Sequence, residues 1–109
     1  YSRNLVKEVY LLTKLFPKEE LYALTNQIRR SSVSVPSNIA EGVGRQSNKE
    51  TIHFLYIAKG SLQEVKTQLY LSFDLEYISE ENLKSILEKV ISNKKLLNGF
   101  INYYKKLQG

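Results

Sequence analysis

Arg29-Arg30, the corner Gly42-Val43-Gly44-Arg45 with Lys49, the serines Ser31, Ser32 and Ser34, and the lone His53 are the residues whose types and spacing could do chemistry. Catalysis and metal binding fail first. A metal at His53 would need carboxylates to complete its ligand set, because the chain holds no Cys and no second His. Its nearest helical neighbours, Glu50 and Ser47, are too poor a set. The absence of Cys also removes disulfides, thiolate zinc sites and cysteine nucleophiles. Ser31, Ser32 and Ser34 form no convincing triad with His53 and an acid, and a triad would also need an oxyanion hole. Small residues that let helices approach are the better explanation. The expectation is therefore a non-enzyme with no catalytic residue, no metal and no cofactor.

The remaining groups concern anions. No strand precedes Gly42-Val43-Gly44-Arg45, and neither phosphate-loop pattern is completed. Yet two glycines, Arg45 and Lys49 stand before a predicted helix N-terminus, where N–H groups and the helix dipole favour an anion. The corner is either a plain interhelix turn or a phosphate contact. Arg29-Arg30 is the most pointed feature. Successive helical residues point about 100° apart, so the two cannot be equally buried. They either pair with acids of a neighbouring helix or subunit, or present to a backbone phosphate. The net charge is +5, from 16 Lys+Arg against 11 Asp+Glu. Residues 1–60 hold nine basic and five acidic residues, hence +4 of that excess, and all four Arg. A basic half attracts polyanions, RNA and DNA first among them, and solubility is the plainer role for so small an excess.

Eight Tyr in 109 residues is a high count. Base stacking is the sharp reading, but interleaving of aromatic and basic residues on one surface is not visible in a sequence. Packing at interfaces or core edges suits Tyr better, and a small bundle cannot hide eight, which points to self-association.

Helices must position these residues. Hydrophobic residues make up 42% and charged residues 25%, an ordinary globular balance, and five Gly with two Pro leave few turns. Four segments carry helical periodicity. The first spans about 2–16 through Leu5, Val9, Leu12 and Phe16 and ends at Pro17. The second spans about 18–42 through Leu21, Leu24, Ile28, Val35 and Ile39, with Ser31 and Ser32 in one turn. Pro36 kinks it without breaking it, Ser32 and Ser34 hydroxyls occupy backbone groups freed there, and Gly42 and Gly44 cap its end. The third, about 47–74, opens on a reciprocal Ser47/Glu50 capping box, and Gly60 and Ser61 mark a close helix–helix approach. The fourth, about 79–107, opens on the N-cap Ser79 and runs through Leu83, Leu87, Val90, Leu97, Ile101 and Tyr104, with Lys94 snorkelling from the seam. Connections of about one to five residues force antiparallel neighbours. The predicted fold is one all-α domain, an up-down-up-down four-helix bundle over 1–109. No apolar run approaches the roughly 18–20 residues that span a bilayer, so no membrane role is expected and a cytoplasmic location fits. The chain begins at Tyr1 and has no Met, so an upstream start is expected.

Several runs carry a family resemblance: Lys7-Glu8-Val9-Tyr10, Phe16-Pro17-Lys18-Glu19-Glu20, Gln27-Ile28-Arg29-Arg30-Ser31, Val33-Ser34-Val35-Pro36-Ser37-Asn38-Ile39-Ala40-Glu41-Gly42 and Phe54-Leu55-Tyr56-Ile57-Ala58-Lys59-Gly60-Ser61-Leu62. Together they resemble the bacterial four-helix bundle proteins encoded in intervening sequences of 23S ribosomal RNA genes, often labelled S23 ribosomal proteins. The family's usual aromatic-rich lead-in is missing before the first helix. The resemblance implies homopentameric rings with a central channel. It extends to the accessory variability protein of diversity-generating retroelements, which binds nucleic acid through a basic ring. By that analogy Arg29, Arg30, Arg45 and Lys49 are the expected phosphate contacts, while Pro36, Asn38 and Gly42 are architectural. The expected function is a non-enzymatic oligomeric module that binds RNA or DNA. The alternative is a self-assembling scaffold for a protein partner, its charge serving solubility.

Overall fold

Leu5 and Val9, four residues apart, are fully enclosed and define the inner face of α1 (Ser2–Thr13). The same logic builds α2 (Leu24–Val43), α3 (Asn48–Asp74) and α4 (Glu80–Gln108) in a computed structural model that describes residues 2–108. Each helix packs on its chain neighbour and α4 closes on α1, while the backbones of the diagonal pairs stay apart among the described residues. This is the predicted all-α four-helix bundle, measuring 47 × 25 × 18 Å. Ile28, Val35, Leu55, Ala58, Val65 and Leu69 are completely buried at its centre. No helix among the described residues is long and apolar enough to cross a membrane.

The first connection departs from expectation. α1 stops at Thr13 rather than near 16, and α2 starts at Leu24 rather than 18. Leu15 and Phe16 donate i→i−3 bonds to Leu12 and Thr13, a tightening that turns Phe16 into the core ahead of Pro17. A short 3-10 helix (Lys18–Glu20) and a turn complete the reversal. A link of one or two residues leaves no room to reverse two packed helices here. Glu20 Oε2 accepts the Leu24 N–H at 3.3 Å, so this acid serves as a cap beside α2 rather than as part of its first turn. Leu21, predicted to lie inward, is left exposed. Phe16 packs on Tyr77 with ring centroids 5.4 Å apart. Burial pushes the Tyr77 phenol above its ordinary pKa, and the charge and hydrogen bonding of Glu20, then the charge of Glu19, add to this.

α2 runs unbroken through Pro36. The nearby hydroxyls do not fill the gap assigned to them: Ser32 Oγ donates to Arg29 O at 2.8 Å, and Ser34 Oγ meets Ser61 Oγ at 2.8 Å across the α2–α3 interface. Ser61 therefore does mark a close helix contact. Gly60 does not, since a Cβ built there meets nothing within 4 Å. The glycine that needs its missing side chain is Gly42, where a Cβ would lie 2.9 Å from Phe54 Cβ. It sits inside α2 rather than capping it, and Gly44 takes the C-cap with ordinary right-handed torsions.

The capping box of α3 is half made. Ser47 Oγ accepts the Glu50 N–H at 3.1 Å, and no return bond from Ser47 N–H to Glu50 forms among the described residues. Ser79 Oγ caps α4 by accepting the Asn82 N–H. On the α4 seam the polar member is Asn93, 2% exposed, rather than Lys94. Its amide donates to Lys89 O and accepts from Ser2 Oγ, so a turn of apolar packing is replaced by a satisfied polar contact that fastens α1 to α4. Lys94 is carried to the surface.

Candidate nucleic-acid interface

The adjacent arginines of α2 part ways as their 100° offset requires. Arg29 turns inward toward α1: its Nε donates to Thr13 Oγ1 at 2.8 Å and its guanidinium lies 4.7 Å over the Tyr10 ring. No carboxylate pairs with it among the described residues. Arg30 is exposed on the α2–α3 face, at the edge of a polar hollow with Ser31, Ser34, Ser61, Glu64 and Gln68. There Ser31 Oγ donates to Glu64 Oε2 at 3.3 Å, and buried Gln68 Oε1 finds no donor among the described residues.

The glycine corner is a tight interhelix turn. Thr51 Oγ1 donates to Gly42 O at 2.7 Å, and Arg45 Nη2 pairs with Glu41 Oε2 at 3.0 Å while its guanidinium covers Phe54 at 4.6 Å. Lys49 stands exposed in the first turn of α3, with no ion pair among the described residues. Arg30 and Arg45 are fifteen residues apart along and just beyond one helix, about 22 Å at 1.5 Å per residue. The four predicted cations thus fall into three places rather than one patch: Arg29 against α1, Arg30 on the α2–α3 face, and Arg45 with Lys49 at the corner. Arg30 and Lys49 have no ion pair among the described residues; Arg29 and Arg45 are committed to neighbours.

Sequence reasoning did not single out a groove of about 490 Å³ between α3 and α4. Tyr56, Lys59, Lys66 and Tyr70 line its α3 side and Lys94 its α4 side. The i, i+3, i+10, i+14 spacing of the α3 residues puts them on one helical face, a signal present in the sequence but masked by the core stripe beside it. His53 packs edge-on to Phe54, and no group of three or more potential metal ligands occurs among the described residues.

Comparison with known proteins follows the bundle along its length. The family model described as 23S rRNA-intervening sequence protein matches residues 1–99. A crystal structure from Bacteroides thetaiotaomicron VPI-5482, described as a protein with unknown function from the S23 ribosomal protein family, is similar with a TM-score of 0.84 and 30% identity. That similarity covers 92% of this chain and 94% of the other. Curated proteins provide no match. Because the match takes in α1, α2, α3 and most of α4, the chain belongs to the 23S rRNA-intervening sequence protein family.

Proposed function

We propose that the protein is a non-enzymatic, cytoplasmic, oligomeric module that binds RNA or DNA through phosphates. The observation that carries this reading is the state of its cations. Of 16 Lys and Arg, only Arg45 and Lys84 lie within ion-pair distance of a carboxylate among the described residues. The positive charge is therefore left facing solvent, where it attracts a polyanion and gains from counterion release on binding. Exposed Arg30 and Lys49 are the phosphate contacts; Arg29 and Arg45 support them from their committed positions. The homopentamer implied by the family resemblance is the assembly we propose. Exposed Leu15, Leu21 and Tyr22 in the α1–α2 connection offer apolar surface for contacts between copies, Tyr22 being 90% exposed.

That same apolar connection favours a second reading, a scaffold for a protein partner. Fluorescence anisotropy with structured RNA and duplex DNA, titrated from about 50 to 200 mM salt, separates the two. Micromolar or tighter binding that weakens steeply with salt is expected, and Arg30→Glu with Lys49→Glu should abolish it. Absence of binding at low salt would leave the scaffold in front, with sedimentation analysis reporting the assembly in either case.

A further inference from the structure

We propose that the groove between α3 and α4 is a binding site for a single strand of RNA, its bases stacking on Tyr56 and Tyr70 and its phosphates met by Lys59, Lys66 and Lys94. The inference rests on the nucleic-acid reading above and adds a second contact surface to that of Arg30 and Lys49.

Charge points to the class of ligand. Three lysines rim the groove and no Asp or Glu lines it, so nothing in the groove neutralises them. Lys59 and Lys66 are half-buried, the burial of a long aliphatic stem that carries its charge to the edge of an apolar surface. Lys105 adds a further cation at one end, its Nζ 5.3 Å over the Tyr56 ring. A base can displace that flexible side chain from the ring while its ammonium remains available to a phosphate.

Shape and polarity narrow the class to unpaired bases. Tyr56 and Tyr70 are each 44% exposed and stand fourteen residues apart, about 21 Å along α3, one toward each end of the groove. Between them the floor is apolar, formed by Leu87, Val90 and Ile91, and Ile91 is 54% exposed. A floor of that kind accepts the flat face of a base and rejects a hydrated phosphate. A duplex keeps its base faces covered and could offer the groove only its backbone, whereas a single strand presents bases and phosphates together. Gln63, the amide in the groove, can both donate to and accept from a ribose 2′-hydroxyl, a contact that favours RNA over DNA.

Gly60 supplies an independent argument. Glycine in the middle of a 27-residue helix lowers helix stability, and no contact among the described residues requires it. No described glycine has a positive φ, and a Cβ at Gly60 would meet no atom within 4 Å. Its place on the groove wall leaves the α3 backbone open to close approach from outside the chain. A planar base lying against the helix uses that opening.

The test is anisotropy of a short fluorescein-labelled oligouridylate with the intact protein, each variant first checked for folding by circular dichroism. Tyr56→Ala and Tyr70→Ala should each weaken binding about tenfold, while Tyr56→Phe and Tyr70→Phe retain it. Replacing Lys59, Lys66 and Lys94 together with Gln should flatten the slope of log affinity against log salt by about 2. Gly60→Leu should block the groove in a protein that melts no lower than wild type. Unchanged affinity and slope in these variants, with Arg30→Glu still abolishing binding, would overturn the groove and leave the general phosphate-binding reading standing. Equal affinity for oligodeoxyuridylate would overturn the RNA assignment, and tighter binding of duplex RNA would overturn the stacking site. If Gly60→Leu changes the sedimenting mass and leaves RNA affinity intact, the groove seats a second copy and the inference fails. No binding of any RNA by the wild type overturns the groove inference, and no binding of RNA or DNA removes the proposed function itself.

Discussion

Arg29 and Arg30 have the same chemistry and adjacent positions, and the bundle gives them opposite work. Arg29 ties the end of α1 to α2 through Thr13 and Tyr10, whereas Arg30 faces solvent beside Glu64. A partly buried hydrogen bond from a charged donor and a cation–π contact together contribute about 1–3 kcal/mol. Arg29→Ala should therefore lower unfolding stability by about that amount in a urea titration, and Arg30→Ala should change it little. The sequence required that the two differ, because of their angular offset. It held no sign of which would turn inward, since that depends on where α1 lies, and α1 is joined through a connection whose length was underestimated. Asn93 and Lys94 show the same difficulty one step along a helix. The predicted seam admitted one polar residue and selected the lysine, but a short amide can be satisfied inside by Ser2 and Lys89 O where an ammonium could not.

At the scale of elements, two glycines in helices have contrary effects. Gly42 lies where α2 passes the first turns of α3, and a methyl group there would collide with Phe54 Cβ and press on Thr51 O. Gly42→Ala should cost about 1–3 kcal/mol through overpacking, read as a lower melting temperature. Gly60→Ala meets no obstacle and gains helix propensity, so it should raise stability by about 0.5–1 kcal/mol in the same measurement. Both glycines look alike in sequence. Their difference is a matter of what lies opposite, and only packing supplies that. Periodicity did locate the four long helices, because Leu and Val at three- and four-residue steps have one way to be buried together. It failed at residues 14–23, where Glu19 and Glu20 resemble a first helical turn and local tertiary packing of Phe16 against Tyr77 imposes a 3-10 turn instead.

For the whole molecule, the sparse ion pairing has a consequence for stability as well as for binding. With +5 net charge and two carboxylate ion pairs among the described residues, self-repulsion is only partly relieved. Moderate salt screens it over about 10 Å at 0.1 M, so thermal stability should rise by a few degrees from low salt to about 0.2 M. RNA affinity should fall over the same range. Opposite trends in one titration would identify the unpaired cations as the common cause. The all-α bundle itself was legible from pattern and short connections. The groove was not, because it depends on which faces of α3 and α4 remain uncovered once the core stripes meet.

Helix lengths in this bundle are unequal: 12 residues in α1 against 27 and 29 in α3 and α4. α1 meets α4 at Asn82, Ser85, Ile86 and Asn93, and an isolated helix shorter than about 12–15 residues is marginal in water. Its order is borrowed from the surface it covers. The helical hairpins α2–α3 and α3–α4, joined through neighbours in sequence, can form early, whereas the α1–α4 contact closes nearly the whole chain and comes last. In the native state the cheapest opening is then detachment of α1 as a cooperative unit. Amide hydrogen exchange should find the α1 amides, including those of Leu5 and Val9, less protected than those of Leu55, Val65 and Leu69, despite equal burial of all five side chains. Burial in this molecule measures contact, and protection measures how many elements must leave together to break it.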